Sequence, residues 1–368
     1  MSDMEYRNQD IKQTWAARRK AVQPKAISLP ATSAAVVDGK RGATTQDVKR
    51  MYEQFPYPSP IVGDSLIKDL SNAVGFLLPE AEMAGRKVLD AGCGTGHRIL
   101  ALAQEYPRAD VTGVDMTEAS LRVARQMMQK HDIGNITFKQ ANLLELALAE
   151  RYDLITSTGV IHHLTDPQQG LNNLSAHLSP DGVMLIWLYH PYGEFVRLLN
   201  RELAMMLWGD NRSDFQEGTS IMRELELSLS TQQYGTETSN PLEDDLSKPS
   251  INVDAYLHPI VKAYSFQKAI EMLKQAGVDW IAVNGINLDG QSKLIDLEGA
   301  GDDPFFTIND EDLFATSHLR DKYRGLSKID KLRAIELKLR PTGFNIVAGR
   351  NRSFERCHER ISRNLVEL

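Results

Sequence analysis

Cysteine is nearly absent: the chain holds two, Cys93 and Cys357, in 368 residues. Two thiols cannot build a disulfide framework or a thiolate metal centre. Long apolar runs are missing too. No stretch approaches the roughly 20 residues that cross a bilayer, and the mixed charges of Met1–Lys20 leave no apolar core for a secretory signal. Positive charge is not in excess either. Lys and Arg number 42 against 49 Asp and Glu, a formal charge of −7, which offers no general attraction to phosphate backbones. These absences lead us to expect a cytoplasmic location, no membrane partner and no nucleic-acid partner. They leave the oligomeric state open, a homodimer included.

What is present has the composition of a folded globular protein, 42% hydrophobic and 25% charged. Five segments can be distinguished. Residues 1–50 are a polar N-terminal extension, with a short helix expected near Asp10–Lys20. Residues 51–84 begin with Met51–Pro60, whose three prolines imply an extended stretch carrying Tyr52, Phe55 and Tyr57. A helix is expected to follow from about Asp64 to Leu78. Residues 85–190 alternate short Val/Ile/Leu-rich runs with amphipathic stretches. The runs are Val88–Ala91, Val111–Val114, Ile136–Lys139, Asp153–Thr156 and Val183–Leu188, the pattern of a parallel sheet buried on both faces. Residues 191–262 break the alternation and read as an inserted cap, with an amphipathic stretch at Glu194–Leu207 and a polar segment at Ser228–Pro249. Residues 263–368 resume it, with a helix at Phe266–Gln275 and strands at Trp280–Asn284 and Phe344–Ala348. A second insertion near 286–340 contains a basic amphipathic helix at Lys328–Leu339.

The strongest signal is Val88-Leu-Asp-Ala-Gly-Cys-Gly-Thr-Gly-His97, a buried strand running into a turn with Gly92, Gly94 and Gly96 and then a helix. Such a turn brings backbone N–H groups close to a ligand. Asp90, ahead of the first glycine, suits the ammonium of a methionine moiety and would repel a pyrophosphate, which disfavours NAD. Asp115 ends the next run, 19 residues beyond Gly96, where an acid can take both ribose hydroxyls. Gln140-Ala-Asn-Leu-Leu144 closes the third run. Tyr152–Leu164 carries the fourth and ends in His162-His163-Leu164.

With these motifs the chain resembles the class I S-adenosylmethionine-dependent methyltransferases, in the branch with His-His-Leu after strand four. The resemblance spans about 85–190 and resumes at 263–285. It implies an α/β fold: a Rossmann-like, seven-stranded, mostly parallel sheet with helices on both faces, plus the N-terminal extension and inserted helical cap segments. It implies S-adenosyl-L-methionine as cofactor. Asp90, Gly92, Gly94 and Gly96 would line its methionine end, Asp115 hold the ribose and Met116 pack on the adenine. Asn142 and Leu143 would sit beside the adenine amine, with Thr158 completing the set. Phe55-Pro-Tyr-Pro58, Asp254–Pro259 and Tyr264 look like elements that close over the site. They place Tyr52, Phe55, His163, Tyr189, Asp254 and Tyr264 on the substrate side, and His162, His258 and Tyr57 as catalytic candidates.

Plain structural alternatives stand beside these roles. Cys93, between two glycines, reads as a small packing residue. His162 is a general base or a passive wall, and His258 a substrate contact or a surface turn. The three aromatics of 52–57 are a lid or a plug. Neighbouring histidines face different ways and no ligand-spaced partner accompanies them, so no metal is expected. The function implied is methyl transfer to a small-molecule acceptor at O, N or S, a thiol included. A nucleic-acid methyltransferase and a non-catalytic cofactor-binding protein are the alternatives.

Overall fold

The computed structural model describes residues 42–58, 65–209, 212–227, 250–278, 280–288, 291–296, 308 and 310–350. The helix expected near Asp10–Lys20, the polar segment Ser228–Pro249 and Cys357 lie outside the described residues. The strands are β1 (Lys87–Ala91), β2 (Asp110–Asp115), β3 (Ile136–Gln140), β4 (Tyr152–Thr158), β5 (Leu178–Tyr189), β6 (Trp280–Leu288), β7 (Gln291–Asp296) and β8 (Gly343–Gly349). The helices of eight or more residues are α1 (Thr45–Gln54), α2 (Asp69–Leu77), α3 (His97–Glu105), α4 (Glu118–Lys130), α5 (Pro167–Ala176), α6 (Phe195–Trp208), α7 (Phe215–Glu224), α8 (Phe266–Gln275), α9 (Ser317–Arg324) and α10 (Lys328–Leu339).

The strands form one sheet in the order β3-β2-β1-β4-β5-β8-β6-β7. The first five pair in parallel, while β8 runs antiparallel to both β5 and β6. Adjacent residues of the central strands feed opposite layers. Leu89, Ile155, Met184 and Ile346 enter one buried cluster, and Val88, Leu154, Leu185 and Val347 enter another. That double burial is why the strands read as continuous apolar runs. Each such side chain contributes about 1.5–3 kcal/mol. The strand order reverses between β1 and β4, and the crevice beyond the strand ends at that reversal is where open α/β sheets bind ligands.

Three expectations need correction. The sheet has eight strands, not seven, because the region expected to be an insertion after Asn284 begins with an extension of β6 and then β7, which folds back with Leu288 opposite Gln291. Residues 289–290 are Asp-Gly, the pair that two-residue hairpins favour. Residues 51–54 are helical rather than extended, since α1 starts under a reciprocal cap between Thr44 and Asp47 and ends ahead of Pro56. Proline restricts the residue before it, so it stops that helix without unwinding the earlier turns. Finally, α2 begins at Asp69, later than the expected start near Asp64.

A buried acid joins the second half of the sheet to its helices. Glu336 on α10 is 2% exposed. Its Oε1 accepts from Phe266 N at the start of α8 and from His190 Nε2, just past β5, at 2.5 and 3.0 Å. Removing it strands two buried donors. Glu336→Ala is therefore expected to destabilise by about 2–4 kcal/mol, read as a lower urea midpoint, with Glu336→Gln recovering part of the loss through its amide oxygen. An alanine variant within 0.5 kcal/mol of wild type, against that roughly 2–4 kcal/mol expectation, would refute this account.

Candidate active site

The site grows from the tips of β1 and β2. Gly92 N and Cys93 N both donate to Val114 O, folding the turn against β2. Gly94 has φ +51°, and a Cβ there would lie 2.6 Å from Tyr57 O. Tyr57 O also accepts from Thr95 N at 3.1 Å, so the 55–58 segment is laid directly on the turn. Gly96 heads α3 in a left-handed conformation at φ +87°. Cys93 is buried, and burial pushes its thiol pKa well up, away from a nucleophile.

Two acids sit beside this turn. Asp90, 3% exposed, accepts from Thr156 Oγ1 at 2.8 Å. Burial raises its pKa to about 6. Asp115 accepts from Gly94 N on one oxygen and from Thr117 N and Oγ1 on the other. Burial raises its pKa, and these bonds oppose the rise.

A cavity of about 380 Å³ opens here. Of the expected cofactor residues, Asp90, Gly92, Gly94, Asp115, Met116, Asn142, Leu143 and Thr158 line it. From the substrate side come Tyr52, Tyr57, His163, Tyr189 and Asp254. The other expected residues are not among its lining. Gly96 is the helix cap just described, and Phe55 packs edge-on against Phe215. Tyr264 is buried, its N–H donating to Tyr189 O. His162 is fully buried against His163, Trp187 and Tyr189, with neither ring nitrogen hydrogen-bonded. His258 lies under His163 in a stacked pair, centroids 3.7 Å apart.

The cavity also takes in Trp187, Glu194 and Arg197, which sequence reasoning passed over. Arg197 pairs with Glu194, donates to Ala255 O at 2.6 Å and stands 4.4 Å over the Tyr189 ring. Arg201, four residues on, donates to His258 O. Two arginines one turn apart on one face of an otherwise apolar helix were the available signal.

The three histidines are electrostatically quiet. Desolvation, more than any neighbouring charge, pushes His162 and His258 well below 6.5 and His163 to about 3, so all three are neutral at pH 7. Asp254 behaves oppositely: burial raises its carboxyl to about 6, while Tyr52 Oη–H, donating at 2.6 Å, and Arg197 hold it from rising further. Ligand-type atoms of His163, Asp254 and His258 lie within 4.8 Å of one another. The hydrogen bonds argue against their sharing a metal. His258 Nδ1 accepts from Ile260 N, which leaves the proton on Nε2 and no free lone pair. Near-parallel rings also cannot aim in-plane lone pairs at one ion.

Comparisons with known proteins give the family and the fold. Residues 82–226 fit the family described as a methyltransferase domain. Over 323 residues the chain is 31% identical to an uncharacterized protein of Synechococcus sp., covering 84% of this chain and 72% of that one. The chain belongs to the class I S-adenosylmethionine-dependent methyltransferases. Shorter matches join this methyltransferase to the malonyl-[acyl-carrier protein] O-methyltransferase of Bacillus cereus, 33% identical over 32% of this chain and 44% of that one. They also join it to the ubiquinone biosynthesis O-methyltransferase of Acinetobacter baylyi, 39% identical over 27% and 42%. The structure of PKMT2 from Rickettsia typhi in complex with AdoHcy shares the fold, with a TM-score of 0.51 at 16% identity over 85% of this chain and 55% of that one. Among the described residues no helix is long and apolar enough to cross a membrane.

Asp90 provides a test of the site's electrostatics in the ligand-free methyltransferase. Its folded pKa of about 6 lies above its unfolded value of 3.8. The group therefore favours the folded state fully below pH 3.8, and that contribution is lost as pH rises through about 6. Asp90→Asn should gain on wild type by roughly 2–3 kcal/mol between pH 4 and pH 8, measured by urea denaturation. A stability difference independent of pH would contradict it.

Proposed function

We propose that this methyltransferase acts on a small protic acceptor and that Asp254 receives the acceptor's proton. One observation carries the reading: a cavity-lining carboxylate whose Oδ1 is pinned by Tyr52 and whose pKa is about 6. A base works best when its pKa lies near the working pH. On that ground Asp254 is better matched than His163 at about 3 or the sequestered His162. The two named O-methyltransferase relatives support an oxygen acceptor, and the modest cavity supports a small one.

In this reading Asp90 holds the ammonium and Asp115 the ribose hydroxyls of S-adenosylmethionine. Met116 and Leu143 enclose its adenine, and Asn142 meets the adenine edge. The bound cofactor supplies an electrophilic methyl group on its sulfonium. The chain's own work is alignment, exclusion of water and acceptance of one proton. His163 donates Nδ1–H to Ile260 O at 2.7 Å, which leaves Nε2 as a neutral acceptor able to orient an acceptor hydroxyl. Tyr52 holds the Asp254 carboxylate in place, and the Tyr189 ring beneath Arg197 forms an apolar wall.

Two measurements test the proposal. Gly94→Ala places a methyl against Tyr57 O and should weaken binding of S-adenosylhomocysteine at least tenfold by calorimetry; unchanged affinity would remove the turn from the cofactor site. A screen of phenols, amines, hydroxy acids and thiols with labelled cofactor should find methylated hydroxyl or amine products. With such an acceptor kcat/KM should rise with pH through about 6 and then level, because the base works only when ionised. Asp254→Asn should lower kcat about 10²–10³-fold and abolish that limb, leaving S-adenosylhomocysteine affinity within a few-fold. Wild-type turnover in the variant, or activity confined to thiols, would reject Asp254 as the base.

A further inference from the structure

Helix α6 has two faces of opposite character. Its inner face buries Leu198, Arg201, Ala204, Met205 and Trp208 and carries Arg197 to the cavity. Its outer face holds Phe195, Val196, Leu199, Leu203, Met206 and Leu207, each between 45% and 72% exposed. At 3.6 residues per turn these six fall within one arc of roughly 120°. Glu202 stands at one margin and Asn200 at the other. Together the six leave roughly 600 Å² of apolar surface in water, the upper end of what a soluble monomer tolerates in one patch.

We propose that this face is the contact between two copies of the chain, packed helix against helix across a twofold axis near Leu203. Charge selects this occupant over a lipid surface. Membrane-surface helices flank their apolar arc with Lys and Arg, yet Arg197 and Arg201 both turn inward here, and within the helix itself the charged residue at the arc's margin is Glu202. A chain of net charge −7 is also repelled by anionic lipid. Area supports a second copy. Two such faces together bury roughly 1,200 Å², the size at which specific interfaces begin. A uniformly apolar stripe is complementary to itself, which a twofold contact requires, and Glu202 and Asn200 supply the polar rim. The contact would brace α6 from outside while its arginines hold Ala255 O and His258 O within.

Sedimentation velocity of the full chain from 1 to 100 μM, with and without S-adenosylhomocysteine, tests the proposal. The wild type should sediment as a dimer over most of that range. The double variant Leu199→Glu/Leu203→Glu should sediment as a monomer, with self-association weakened at least 100-fold. Its circular dichroism and S-adenosylhomocysteine affinity should match wild type, and Leu199→Met/Leu203→Met should stay dimeric. A wild type that remains monomeric at 100 μM overturns the proposal, as does a dimer that persists in the glutamate variant. Flotation of wild-type protein with phosphatidylglycerol–phosphatidylcholine vesicles, lost in the glutamate variant, would assign the face to lipid and overturn it equally.

Discussion

The Asp115 carboxylate accepts from Gly94 on one oxygen and from Thr117 on the other, so the end of β2 is tied at once to the glycine turn and to the start of α4. A carboxylate partly withdrawn from water is tolerated when its oxygens are met, and here meeting them fixes three pieces of backbone. The turn is then held in shape before any ligand arrives. Tyr57 O rests on Thr95 N of that turn, which brings the aromatic segment over the cavity. The position of the roof thus follows from the geometry of the floor.

Around the other half of the cavity the organising effect is desolvation. Tyr189, Trp187 and the neutral His163 line this side, with the neutral His162 and His258 packed against them, and the charges facing the cavity here are Asp254 and the Arg197–Glu194 pair. Low polarity strengthens each of their interactions and raises the cost of leaving either unmet. The π-wound stretch Val253–Leu257 presents Asp254, and such irregular turns recur at functional sites. Its packing depends on the insertion: Met205, Trp208, Phe215 and Met222 form one cluster with Val253, Tyr256 and Leu257, joined by Met51 of α1.

Much of this architecture was legible in the residues. The bounds of α4, α8 and α10 follow their apolar spacing and flanking caps, and the parallel strands announce themselves because both of their faces are buried. Local rules failed where the deciding interaction is distant or the pattern weak. Strand β7 is Gln-Ser-Lys-Leu-Ile-Asp, too polar to stand out, and only the Asp-Gly before it marks the reversal. Helix α1 was hidden by the prolines that follow it. The stacking of His163 on His258, and the Tyr52–Asp254 bond across 202 residues, are products of chain folding that no spacing encodes. Glu336 illustrates the same limit: within a basic amphipathic stretch it looks like a solvated charge, yet it is among the most buried polar groups described.

Strand β8 lies between β5 and β6 although it is the last of the three to be made. On a ribosome adding about 5–20 residues per second, β5 must wait on the order of ten to thirty seconds for the neighbour that covers it. During that interval a long hydrophobic edge is open to pairing with other chains. Yield in a cell is then governed by how quickly translation passes the region ahead of Gly343 and by which chaperones shield the growing chain.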